Sequence, residues 1–300
     1  MSEYFDEYAR HMIDTEFYAQ QKEADFADFM KRLRNRIHSV LMDHLAISSK
    51  SDYKKVAQMC DEIIEDEVDD YIGELNEERQ EQSEKERSYL EKLFKAALGL
   101  SLVSSFLSQK KLMEAPYNSI DTVESFGETL KANAKKAVRT PLMSSYIFGA
   151  STTTTAGAIE DSLKRLEKGG KSDVHTIISS TQRNVTRLLV PKNDKVHWQY
   201  VSMLDDKTCT VCAANSGKTF RYITDVTPVP IHNRCRCYYL PVTRVEDEPT
   251  YEEWLKAQPD SVQYKILGPS RYMLFKSGIS ITKFTSDGHK LTLEELYNSL

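Results

Sequence analysis

The chain has 300 residues, of which 40% are hydrophobic, 28% are charged and only 20 are glycine or proline. Those proportions exclude a collagen-like, low-complexity or wholly disordered chain, and the length suffices for two ordinary domains that bury a core without disulfides. The formal charge of -5 hides an uneven distribution: residues 61–95 hold 14 acidic and five basic side chains, a local -9 that leaves +4 for the remainder.

The opening segment, MSEYFDEYARHM, is acidic where a secretory signal needs a basic start and an apolar stretch, so no export signal is expected and the cytoplasm is the default compartment. Apolar residues then recur at three-and-four spacing over Phe26, Phe29, Met30, Leu33, Ile37, Val40, Leu41 and Leu45, which predicts a long amphipathic helix. The pattern returns over Ile63, Ile64, Val68, Tyr71, Ile72 and Leu75, and again over Tyr89, Leu90, Leu93, Phe94, Ala97 and Leu98. Residues 1–105 therefore read as a helical bundle or hairpin. Its acidic part at 61–95 reads as a solvated helix face, or as a face that avoids DNA or meets a basic partner. The longest apolar run, Ala96 to Leu107, is shorter than the roughly 20 residues a bilayer requires, so no membrane span is predicted.

Pro116 breaks the next segment, and Asp121 with Glu124 has capping-box spacing ahead of Val123, Leu130, Ala134 and Val138. Pro141 and the run Ser151 to Thr155, closed by Gly157, predict a loop or hinge. A helix resumes through Ile159, Leu163 and Leu166 and is expected to end at Gly169-Gly170. Another follows from Ser172, with Val174, Ile177, Ile178, Val185 and Leu189 on its apolar face, and stops at Pro191. Beyond that proline the texture changes: 196–203, 219–223 and 237–242 read as three short strands around a group of cysteines. The expected class is α+β and mostly α, with a helical lead-in and a small β-rich module at 196–241 inside a segment 106–245, then an extension over 246–300.

Four of the five cysteines fall within that module, as Cys209-Thr-Val-Cys212 and His232-Asn-Arg-Cys235-Arg-Cys237. Two cysteines three apart can aim both sulfurs at one point, and a second cluster completes the tetrahedron that Zn(II) prefers with thiolate and imidazole ligands. Closing the 19-residue loop between them costs on the order of 2 to 3 kcal/mol, against roughly 10 to 16 returned by a structural zinc. The preferred ligand set is Cys209, Cys212, His232 and Cys235, with Cys237 as the alternative to His232. Reduced cysteines packed in a small core, or a disulfide, are the competing readings. Five donors argue for a closed, non-catalytic site. Asp205 and Asp206 are acid/base candidates or, more simply, turn residues, and His197 reads as a strand-surface histidine. A thioredoxin-like reading of Cys209 and Cys212 fails for want of a helix opened in a βαβ unit, and Cys60 reads as core packing.

The ordered segment His197-Trp198, Asp205-Asp206-Lys207-Thr208-Cys209-x-x-Cys212, Gly217-Lys218-x-Phe220, Pro228-x-Pro230-x-His232-x-x-Cys235-Arg236-Cys237 resembles the signature of phage head morphogenesis proteins of the Mu F-like family, the minor head or minor capsid proteins. The helix with Ser180-Thr181-Gln182-Arg183-Asn184 resembles that family's Thr-Glu helix, with Gln182 where glutamate is common. The tail from Trp254 to Tyr272 is similar to the extension many members carry. The resemblance implies a low-copy, non-enzymatic protein bound to the portal, working with capsid and scaffold proteins in head assembly and genome packaging or delivery. It would occupy the host cytoplasm during assembly and the virion head afterwards. Packaged DNA is a further implied partner, for which Arg183, Arg187, Arg221, Arg234 and Arg236, with Tyr222, Tyr238 and Tyr239, are the candidate contacts; arginines paired with local acids are the competing reading. Two rivals remain. One is a zinc-dependent nuclease using His232 with Asp205 or Asp206, and the other a carrier of an effector domain, for which the stretch after Arg244 is short.

Overall fold

The computed structural model describes residues 3–44, 49–99, 123–190, 195–222, 229–243, 250–286 and 288–300. The chain is mostly helical with a few small antiparallel strands toward its C-terminal part. The elements in order are α1 (Glu3–Asp43), α2 (Lys50–Leu98), α3 (Val123–Phe148), α4 (Thr152–Leu189), β1 (His197–Val201), α5 (Thr210–Asn215), β2 (Thr219–Phe220) and β3 (Tyr238–Val242). They continue with α6 (Tyr251–Lys256), α7 (Asp260–Leu267), α8 (Pro269–Lys276), a 3-10 turn (Ile281–Phe284), β4 (Thr285–Ser286), β5 (His289–Lys290) and α9 (Leu293–Ser299). Among the described residues no helix is long and apolar enough to cross a membrane. Pro116, Asp121 and Pro191 lie outside the described residues.

Two compact units emerge. The helical unit gathers Asp14–Glu86 with Ser108–Asn184, and the cysteine unit gathers Met1–Ile13, Arg87–Leu107 and Val185–Leu300. In the helical unit the apolar stripe read from sequence is the core: Phe26, Phe29, Met30 and Leu33 of α1 are fully buried, with Ile64, Val68 and Leu75 of α2 and Leu130, Ala134 and Val138 of α3. Phe29 stacks on Tyr71 at 4.5 Å between ring centroids, and Phe26 packs against both and against Phe126.

The acidic face of α2 has a basic partner inside the same unit. Asp61, Glu65 and Asp69 are four residues apart, one stripe of a helix, and they meet Arg139, Lys135 and Lys131 of α3 in antiparallel order. Lys131 Nζ lies 2.6 Å from Asp69 and 3.3 Å from Glu65, Lys135 bonds Glu65, and Arg139 Nε donates to Asp61 at 3.0 Å. On α1, Arg36 reaches Glu67 at 2.5 Å.

Three expectations about helix ends need correction. Pro141 does not interrupt α3, because the apolar stripe continues through it with Val138 and Leu142 both fully buried. The break comes later, where Gly149 takes a left-handed φ of 69° and the Ser151 hydroxyl accepts the Thr154 N–H at 3.1 Å to start α4. The threonine run is thus helix, not loop. Gly169-Gly170 likewise does not end a helix: α4 runs through both, and a Cβ on Gly170 would sit 2.4 Å from the Phe26 ring. That glycine admits an aromatic ring against the backbone instead of terminating the segment.

In the cysteine unit, β1 is the centre of a three-stranded antiparallel sheet ordered β2-β1-β3, with Trp198 opposite both Phe220 and Pro241. All five residues of β3 are buried. The start of α1 covers it: the Tyr8 ring lies 5.4 Å from Tyr238 and 5.9 Å from Phe94, and the Tyr4 hydroxyl donates to the Pro241 carbonyl at 2.8 Å. The segment after β3 builds a second small core from Tyr251, Leu255, Phe275, Ile281, Phe284 and Leu296, which also takes in Ala213 of α5. Capping boxes at Thr250/Glu253 and Thr292/Glu295 start α6 and α9.

Candidate metal centre

Local backbone geometry builds the first half of the centre. Cys209, in extended conformation at the end of the β1–α5 connection, is the N-cap of α5, and its Sγ accepts the Cys212 N–H at 3.4 Å. An N-cap residue three positions before another cysteine places both sulfurs at the same helix end. The C-x-x-C therefore does open a helix after a strand, contrary to the sequence expectation. The sheet is antiparallel, so the βαβ setting of a thioredoxin-like motif is missing all the same.

The second half is a tight turn. The Cys235 N–H donates to the His232 carbonyl at 3.0 Å, and Arg234 occupies the left-handed region at φ 61°. This folds His232 back over the chain and sends Cys235 and Cys237 inward, where both are almost fully buried with Cys212.

All five predicted donors converge. His232 Nε2 lies 3.1 Å from Cys209 Sγ and 3.3 Å from Cys212 Sγ, and Cys212 Sγ lies 3.8 Å from Cys235 Sγ. The donors form two overlapping triads, Cys209-Cys212-His232 and Cys212-Cys235-Cys237, and Cys212 belongs to both. A tetrahedron with metal–sulfur bonds of about 2.3 Å and a metal–nitrogen bond of about 2.0 Å has edges of about 3.8 Å between sulfurs and about 3.5 Å from sulfur to nitrogen. The Cys212–Cys235 spacing of 3.8 Å matches the first, and the spacings of 3.1 and 3.3 Å to His232 are somewhat shorter than the second. Moreover, His232 Nδ1 is 2.8 Å from the Asn233 carbonyl, which calls for a proton on Nδ1 and leaves Nε2, beside the sulfurs, as the nitrogen that can ligate a metal once it gives up its own proton. Ligating histidines are oriented by hydrogen bonds of that kind. These residues can hold a metal ion.

In the metal-free site Cys209 is already disposed to be a thiolate, whereas His232 and Cys212 hold protons that they would release to a metal. A hydrogen bond from Cys212 and the neighbouring His232, acting against burial, hold the Cys209 thiol down to about 4. The hydrogen bond with Cys209 raises His232 to about 9, against burial, with the Asn233 carbonyl helping. Neighbouring thiols and burial push Cys212 up. Burial, reinforced by the adjacent thiols, also raises Tyr200, whose hydroxyl is buried beside Cys237. From the sequence Tyr200 reads only as a strand position alternating with Trp198; its place on β1, on the same face as Trp198, is what brings it to the cysteines.

Asp205 and Asp206 are engaged elsewhere. Asp205 takes two bonds from Arg236, at 2.5 and 2.7 Å, and the Lys207 N–H at 3.0 Å; burial would raise its carboxyl, but these contacts hold it below the usual carboxylate range. Asp206 pairs with Lys265 at 2.7 Å. The turn-residue reading thus describes both. His197 sits on β1, half-buried, and Cys60 is fully buried in the helical core, its thiol pushed up to about 12 by burial.

The candidate DNA contacts fall in different settings. Arg183 is only 8% exposed and lies in the helical unit within electrostatic reach of Glu16, so it offers no surface to a phosphate. Gln182 beside it is 2% exposed, and Thr181 accepts a bond from Arg79 Nε at 3.0 Å. Arg236 is committed to Asp205, and Tyr238 and Tyr239 are buried. Arg221 lies over the Tyr222 ring at 5.4 Å, Arg187 is half-buried at the end of α4, and Arg234 is exposed on its turn.

No protein-family model, curated protein or solved structure matches the chain.

Proposed function

We propose that this chain is a minor head protein of a tailed phage, of the Mu F-like head morphogenesis type, with one structural Zn(II) held by Cys209, Cys212, His232 and Cys235. Its role is in assembly rather than catalysis: a small metal-stapled module presents a fixed surface to the portal and to capsid or scaffold proteins, during head assembly and genome packaging or delivery. The observation that carries the reading is the gathering of all five donors of the ordered cysteine–histidine signature into two triads that share Cys212. The ion pairs of Asp205 and Asp206 support a structural assignment over a nuclease one, since each carboxylate serves the fold. Zinc in a closed site of this kind supplies folding energy.

The test has two arms. Elemental analysis of purified protein is expected to give one zinc per chain, and the protein is expected to co-purify with portal and capsid proteins from phage-producing cells. Absence from both procapsids and virions overturns the head-protein assignment. Metal-dependent DNA cleavage that is lost in His232→Ala overturns the non-enzymatic one.

A further inference from the structure

The five donors of the candidate metal centre outnumber the four places of a tetrahedral ion, and their burial is uneven. The outer triad, Cys209, Cys212 and His232, reaches solvent, for Cys209 is half-buried and His232 exposed. The inner triad, Cys212, Cys235 and Cys237, is buried throughout. Within each triad the donor atoms all lie within 4.8 Å of one another, and Cys212 Sγ is the atom common to both.

The two triads suit a different class of ion from the tetrahedral one. Among the described residues no further histidine, cysteine or carboxylate joins the inner triad, and its burial keeps a solvent ligand away. Zn(II) is poorly served by three sulfurs alone, since in structural sites it holds four ligands. A soft monovalent ion such as Cu(I) is selected by thiolates, and three of them satisfy it. The outer triad offers such an ion two sulfurs and the His232 Nε2. A thiolate sulfur carries enough lone pairs to bind two metal ions at once, and Cys212 is the sulfur placed to do so.

We propose that this centre also binds Cu(I), two ions per chain, one in each triad, bridged by the Cys212 thiolate. Two three-coordinate ions that share one sulfur use all five donors, whereas one tetrahedral Zn(II) leaves Cys237 outside its ligand set. No oxidation state changes on loading: two Cu(I) enter, one Zn(II) leaves, and Cys237 gives up its thiol proton. The proposal rests on the same donor geometry as the zinc reading, and it does not depend on the head-protein assignment.

Titration of the full chain with Cu(I), reduced and anaerobic, against the chromophoric chelator bathocuproine disulfonate tests it, with bound copper and released zinc counted by elemental analysis. Two tightly held Cu(I) per chain and loss of the zinc are expected. X-ray absorption at the copper edge should show mostly sulfur, a minority of nitrogen and a short copper–copper distance. Cys237→Ser is expected to hold one Cu(I) and to keep its zinc; circular dichroism confirms that the variant is folded, and the absorption measurement on the unaltered protein stands even where it is not. A single Cu(I) per chain, an absorption spectrum without a copper–copper distance, or two Cu(I) retained by folded Cys237→Ser overturns the proposal. Zinc counted before copper is added separates the two readings: one zinc followed by one copper refutes this proposal alone, and two coppers in a chain that holds no zinc refutes the zinc reading alone.

Discussion

Arg236 grips both carboxylate oxygens of Asp205, at 2.5 and 2.7 Å. Arg236 lies between Cys235 and Cys237, and Asp205 four residues before Cys209, so this pair joins the two halves of the candidate metal centre through side chains outside the donor set. Tyr251 adds a bond from its hydroxyl to the Asp205 carbonyl at 2.7 Å. Asp205→Ala is expected to loosen the assembled site, lowering metal affinity by about 10- to 100-fold, the range seen when outer partners of a metal site are removed. Competition with a chromophoric chelator measures it. Unchanged affinity would show that the clamp plays no part in holding the site together.

The cysteines should separate by role. Cys212 belongs to both triads, so Cys212→Ser is expected to abolish stoichiometric metal and to melt the cysteine unit. Cys237→Ser should keep one metal per chain, because Cys209, Cys212, His232 and Cys235 remain. Elemental analysis with thermal denaturation of each variant reads the outcome; loss of metal in Cys237→Ser with retention in His232→Ala would exchange His232 for Cys237 in the ligand set.

The α2–α3 charge ladder has a definite pH dependence. Hydrogen bonds from Lys135 and Lys131 hold the Glu65 carboxyl below its ordinary value. A depressed folded-state value means that its stabilisation is fully present above the unfolded value of about 4.3 and is lost as pH falls through the lower folded one. Lys131→Ala is expected to cost about 0.5 to 1 kcal/mol at neutral pH, less in high salt, and almost nothing below the folded-state value. Urea denaturation at several pH values and salt concentrations checks this; a cost that does not change with pH or salt would assign Lys131 to packing.

Adjacent glycines of α4 should respond in opposite senses. A Cβ on Gly169 meets nothing within 4 Å, whereas one on Gly170 would collide with the Phe26 ring. Gly169→Ala is expected to stabilise the helix by up to about 1 kcal/mol, and Gly170→Ala to destabilise the unit by about 1 to 3 kcal/mol despite the better helix former. Chemical denaturation of the two single variants decides. If both gain stability, the ring has room to move and the close approach is not a constraint.

The contrast at these glycines explains what was legible in the sequence. Apolar periodicity depends on the chain's own geometry, so Phe26 to Ile37 and Ile64 to Leu75 reported their buried faces directly. Terminators are ambiguous, since a glycine marks either a left-handed turn, as at Gly149, or a close approach by a distant side chain, as at Gly170, and only the fold distinguishes the two. The candidate donors were legible because metal chemistry demands particular residue types at short spacings. The supports around them were not: Asp205 and Arg236 meet across 31 positions, and Tyr200 approaches Cys237 only through the sheet. The basic counterpart of the acidic face was equally hidden, for Lys131 to Arg139 lie in another helix, about 70 residues away in the chain.

The bond from Tyr4 to Pro241 bears on how the small sheet meets other proteins. β3 is an outer strand, and such strands commonly recruit a further strand through their free backbone groups. Opposite Trp198, Pro241 has no N–H to offer, and its carbonyl is already taken by the Tyr4 hydroxyl. A peptide trying to pair there finds no donor at Pro241, the fourth of the strand's five residues, and an acceptor that is already engaged. Pro241 thus works against strand addition on that side and favours recognition of the cysteine unit through side chains and turns.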